Sequence, residues 1–209
     1  MLMCHPACVL RHMIETKKDK TVMKEKLFEP FKVKDIVFLA IISAVTLCTC
    51  AVMPLVASLQ TVIFGIAQAV TGLQISVFFS VGLMKVRKIG SLMIMSLLTG
   101  LFQLLMAPPM FFSNIVIGLL LEALAALIFK GYKKDSAVFF VVLLYNPLSL
   151  PFNYLYNMLF GREAMAAVAT KAPLITVGMS ATVVAISAVG ALIGIKISKE
   201  LGKTGALKK

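Results

Sequence analysis

The sequence predicts an all-α integral membrane protein of about six transmembrane helices, and three observations carry that expectation. First, 60% of the 209 residues are hydrophobic and 14% charged, whereas a soluble domain is about half apolar and a quarter charged. Second, the apolar stretches run unbroken for roughly the 20 residues of a spanning helix, not alternating over about ten as barrel strands do. Third, the cations sit at the ends of those stretches, where membrane topology and anionic headgroups place them. Inside lipid every backbone polar group must pair within the chain, and unbroken apolar runs satisfy that as helices. The net charge of +12 therefore points to the bilayer surface and gives no reason to invoke nucleic acid.

Residues 1–32 read as a basic cytoplasmic tail, disordered over about the first twenty, with Met13 and Met23 as alternative starts. The tail lacks a signal-peptide pattern, because its apolar stretch is short, broken by His and Arg, and followed by no small-residue cleavage site. Cys4, His5, Cys8 and His12 lie close together but match no zinc spacing. No metal or other cofactor is expected. Cys48 and Cys50 fall within the first apolar run, where a thiol behaves as a small hydrophobe.

Six apolar segments follow: 35–53, stopped by Pro54; 62–84; 89–107, ended by Pro108 and Pro109; 111–129; 136–160, interrupted by Pro147 and Pro151; and 173–197. Together they make a transmembrane domain over 33–200, followed by a basic tail over 201–209. Seven lysines between Lys17 and Lys34 precede the first segment, and Lys85, Arg87 and Lys88 lie between the second and third. Lys130, Lys133 and Lys134 lie between the fourth and fifth, and Lys196, Lys199, Lys203, Lys208 and Lys209 close the chain. The first and third connections carry no cation, and the last carries only Arg162 and Lys171. This alternation predicts a multi-pass protein of the cell membrane with both termini cytoplasmic; five spans would strand the basic C-terminus outside.

Polar groups at membrane depth are costly and face the interior or a cavity. Asn114, Gly118 and Glu122 are four apart and share a face of the fourth segment. Glu122 reads equally as a ligand or coupling group in a pocket and as an inner-leaflet acid, protonated or paired with a base. On the fifth segment Asn146, Asn153 and Asn157 fall within about 20° of one helical line. Tyr145, Tyr154 and Tyr156 add rings nearby, and the two prolines free backbone carbonyls. Amides can also serve only to join helices, but this density favours a pocket wall, with Asn153 and Asn157 in the outer half. Gln103, with Gln68 and Gln74, would complete such a cavity. Thr176, Ser180, Ser187 and the Gly190-x-x-x-Gly194 pair on the last segment read as close helix packing. The only histidines lie in the tail and no Walker A loop is present, so neither a membrane Ser/His pair nor ATP binding by that motif is available. The chain is not read as an enzyme.

Ala40 and Ala44 form an A-x-x-x-A pair on the first span, just after the basic lead-in. Residues 84–92, Met-Lys-Val-Arg-Lys-Ile-Gly-Ser-Leu, are similar to the K-V-x-K-F-G-x-L stretch of the Trep-Strep-like group of energy-coupling-factor (ECF) S components. Over roughly 30–205 the chain resembles that group, though no motif of the riboflavin, thiamine or biotin binders is matched. The resemblance implies a six-helix S-component bundle that binds a vitamin or related small metabolite on its outer side. It also implies reliance on a T-type transmembrane subunit and two ABC-type ATPases, with toppling in the membrane to release cargo inside. Ala40 and Ala44 would then meet the T subunit, and Asn146, Asn153, Asn157, Tyr154 and Tyr156 would touch substrate. A stand-alone permease using Glu122 as a proton-coupling acid, and a non-transporting membrane protein, remain alternatives; a membrane enzyme comes last.

Overall fold

The structure, a computed structural model, describes residues 29–49, 59, 62–104, 108–160 and 163–204. The predicted tail through residue 28, including the Cys4–His12 cluster, lies outside the described residues, as do Cys50, Pro54 and residues 205–209. The elements are α1 Val33–Thr49, α2 Ile66–Lys85, α3 Ser91–Leu104, α4 Pro108–Leu124, α5 Asp135–Leu159, α6 Glu163–Lys171 and α7 Pro173–Lys203. A π-helical turn, Ala125–Phe129, prolongs α4. Among the described residues there is no strand. Among the described residues four helical stretches are long and apolar enough to cross a membrane: α2, Phe111–Phe129, α5 and α7.

Each predicted segment contains a helix, with two corrections and one addition. Pro108 and Pro109 do not merely end the third segment; they open α4, where a missing N–H costs nothing because the first turn has no acceptor for it. Pro147 and Pro151 do not interrupt α5, which continues through both. The addition is α6, in the connection between the fifth and sixth segments. Its alanines are strong helix formers, and Lys171 in its last turn complements the helix dipole.

Lipid gives helices little hydrophobic reason to associate, so close backbone approach and hydrogen bonds must hold them. The most extensive contact joins α2 and α7. A Cβ on Gly190 would stand 2.8 Å from the Leu73 carbonyl oxygen, and one on Gly194 2.5 Å from that of Val77. The G-x-x-x-G pair is thus the seat of α7 on the α2 backbone. α1 packs on α2 and α3, α3 on α4, and α5 against α2, α4 and α7. Between them lies a core that includes Leu39, Phe79, Leu92, Met95, Ile117 and Val141. Large apolar side chains such as Ile41, Phe102, Leu119 and Val177 point outward, as a surface solvated by acyl chains requires.

One end of the bundle gathers the charges. Lys88 Nζ donates to Asp35 Oδ2 (2.8 Å) and to the Pro30 carbonyl (2.7 Å), tying the α2–α3 connection to the start of α1. Asp35 in turn accepts from the Lys32 backbone N–H (3.2 Å), one half of a capping box. Arg87 donates to Asp135 Oδ1 and to the Lys133 carbonyl, and Lys199 of α7 pairs with Asp135 Oδ2 at 2.8 Å. The start of α1 and the end of α7 therefore meet the two most basic connections at the same end of the molecule.

Candidate functional site

The structure divides the predicted site residues into separate groups. Asn146 is buried, and its Nδ2 faces the Gly72 carbonyl (3.2 Å), Ser76 Oγ (3.2 Å) and Ser187 Oγ (3.4 Å). It joins α2, α5 and α7 rather than lining an open wall. A Cβ on Gly72 would lie 3.5 Å from Nδ2, in ordinary van der Waals contact. Removing a buried donor strands its acceptors at a cost of about 1–3 kcal/mol. Asn146→Ala should therefore lower the unfolding temperature in detergent while leaving retained small molecules unchanged. Loss of a retained ligand at unaltered stability would return Asn146 to the pocket.

Two and three turns along the same helical line lie Asn153 and Asn157, and Asn157 Nδ2 donates to the Asn153 carbonyl oxygen (2.9 Å) and to Asn153 Oδ1 (2.8 Å). Tyr154 meets Phe64 edge-on at 6.5 Å, which sets this part of α5 beside the entry to α2. Tyr156 stacks on Phe160 at 4.5 Å, turned about 160° from Tyr154 by the helical period. Neither phenol hydroxyl has a hydrogen-bond partner among the described residues. The pair of amides and the two tyrosines thus share the end of α5, the amides lying between two rings that face away from each other.

A third group forms a chain across α3, α4 and α5. Tyr145 Oη donates to Asn114 Oδ1 (2.6 Å), and Asn114 Nδ2 donates to Gln103 Oε1 (2.5 Å). Tyr145, 3% exposed, also meets Phe79 of α2 edge-on at 4.9 Å. Sequence spacing placed Asn114 and Glu122 on one face but could not pair Asn114 with Gln103, since the partners lie on different helices.

Glu122 lies apart from all of these, at the charged end. Its Oε1 accepts the Gly90 N–H (2.6 Å) and its Oε2 the Met93 N–H (3.1 Å), so a carboxylate on α4 caps the N-terminus of α3. Orphan donors and the positive end of the helix dipole both favour an anion there. Gly90, at φ +98°, turns the chain so that its N–H can reach the acid. Tyr132, fully buried, stands close enough for the acid's charge to act on its hydroxyl; burial first and that charge second push its pKa upward. Tyr132 escaped notice in the sequence because it sits inside a basic connection. Glu122→Ala should cost about 1–3 kcal/mol by leaving two backbone donors bare, with Glu122→Gln, which keeps one acceptor, in between. Equal thermal stability of all three proteins in detergent would refute the capping role.

Ala44 is exposed, on the side of α1 away from its buried Leu39, Ser43 and Thr46, and Ala40, half-buried, lies between the two sides. With Val37, Ile41 and Cys48 they form an outward apolar strip. Among the described residues no three His, Cys, Asp or Glu side chains converge as metal ligands.

An apolar helical bundle with outward-facing aliphatic side chains, polar groups turned inward and ions at one end defines an integral membrane protein. The family model of Trep_Strep, described as hypothetical bacterial integral membrane protein, matches residues 33–203, and the chain belongs to that family. No curated protein and no solved structure matches the chain.

Proposed function

We propose that this protein is the substrate-binding S component of an ECF-type ATP-driven importer of a vitamin or related small metabolite. The observation that carries the reading is the sorting of polar groups along the bundle. Ion pairs and basic connections occupy one end, while neutral amides and phenols occupy the helix ends away from it, the Tyr154 and Tyr156 hydroxyls with no hydrogen-bond partner among the described residues. By the positive-inside rule the ionic end is cytoplasmic, so both termini lie inside and the neutral groups face the side from which an importer is loaded. Asn153, Asn157, Tyr154 and Tyr156 are the contacts proposed for cargo, with Gln103 and Asn114 deeper in the bundle. The strip around Ala40 and Ala44 is the proposed seat of the T-type subunit, through which two ABC-type ATPases act. Glu122, engaged by two backbone N–H groups, is given no part in substrate binding or proton coupling.

The test is a mild-detergent pull-down of the tagged protein from its own host, with mass spectrometry of proteins and small molecules. Recovery of a T-type membrane subunit with paired ATPases supports the reading. Their absence, from a preparation that keeps a known ECF complex intact, removes it.

A further inference from the structure

Gln68 sits in the first turn of α2 and belongs to none of the groups above. By the helical period it lies within about 20° of the line of Ile75 and Phe79, which are 8% and 0% exposed in the core. Val70 and Leu73, at 42% and 40% exposure, mark the lipid side of the same helix, about 140–160° away. Gln68 thus points into the bundle. Its side chain is half-buried, whereas Ile75 and Phe79 below it on that line are buried. Its Oε1 is buried and has no hydrogen-bond donor among the described residues.

What stands around Gln68 follows from the neighbouring helices. Phe79, three turns below it, meets Tyr145. On α5 the line of Tyr145 continues through Phe152 and Tyr156, both half-buried. Asn114 of α4, also half-buried, accepts from Tyr145 and passes the contact on to half-buried Gln103 of α3. A buried acceptor without a donor costs about 1–3 kcal/mol, an expense a binding site recovers when its ligand arrives. None of these residues is charged, and an ion brought among them would lose hydration with no counter-charge to replace it.

We infer that Gln68 is a ligand-binding residue lining an inward recess above the Tyr145–Phe79 contact, where its carbonyl oxygen accepts an N–H or O–H from an uncharged polar cargo. The inference rests on the importer reading for the cargo, but not for the recess. Two measurements test it. In a background with the four native cysteines replaced by Ala, cells carrying Gln68→Cys or Leu73→Cys are treated with methyl methanethiosulfonate, a small uncharged thiol reagent. Gln68→Cys should react at least tenfold faster than the lipid-facing control; equal rates would mean the position is sealed. Small molecules retained by wild type and by Gln68→Leu are then compared by mass spectrometry. An uncharged compound reduced at least tenfold by the variant, at unchanged unfolding temperature, supports the assignment. A compound retained equally, or one carrying net charge at pH 7, overturns it. Failure to recover a T subunit while Gln68→Cys reacts would sink the importer and spare the recess, and the converse would do the opposite.

Discussion

Replacing Ala40 and Ala44 together with leucine is expected to reduce uptake to background and to strip the T-type subunit from the purified protein, while ligand retention and thermal stability stay as in wild type. The reason is the direction the two side chains face. Ala44 is exposed on the outer strip of α1, and Ala40, half-buried, lies beside it at the edge of that strip. Added methylenes there enlarge an outer surface without entering the core. They would obstruct only a helix that must come close, which is what two small residues four apart permit. A partner interface loses far more from such a ridge than lipid does, because acyl chains rearrange around it. Uptake by the double variant at the wild-type rate would remove the coupling role from this face.

Gly194→Leu is expected to have the opposite profile: loss of the folded protein itself. A Cβ at this position would stand 2.5 Å from the Val77 carbonyl oxygen and 2.6 Å from Ser80 Cβ. Backbone cannot swing aside as a flexible side chain can, so α7 must lift off α2 along their most extensive contact. Overpacking of cores typically costs about 1–3 kcal/mol, and a leucine here exceeds the single extra methylenes behind that range. Gly178→Leu supplies the control, since nothing lies within 4 Å of its would-be Cβ. Size-exclusion profiles in detergent should show the first variant aggregated and the second monodisperse; a monodisperse Gly194→Leu protein would contradict the packing described here.

The helices were legible in the sequence because their signal is local. Length, apolarity and the position of lysines name a span without reference to its neighbours, and G-x-x-x-G announced close packing of the last span, though not that α2 is its partner. What failed was whatever depends on a second helix. Asn146 and Asn153 share one line in α5, yet one ends in a knot with Ser76 and Ser187 and the other in a pair with Asn157. Spacing gives the line, not what faces it. Glu122 is the sharpest case: whether an intramembrane acid is a pocket group or a cap turns on Gly90 and Met93, about thirty residues away in the chain. Proline misled for a different reason, since at a helix start it is a beginning and in a membrane helix it is tolerated.

The distribution of fastenings has a mechanical consequence. At the ionic end Lys88 ties the α2–α3 connection to α1, Arg87 and Lys199 converge on Asp135 of α5, and Glu122 ties α4 to α3. At the other end the fastenings described are neutral hydrogen bonds and ring contacts, and α6 sits there as a short separate element. Such a bundle behaves like a fan riveted at its base. The helices can spread at the free edge without sliding past one another at the rivet, so amide exchange along each long helix should quicken steadily with distance from the base.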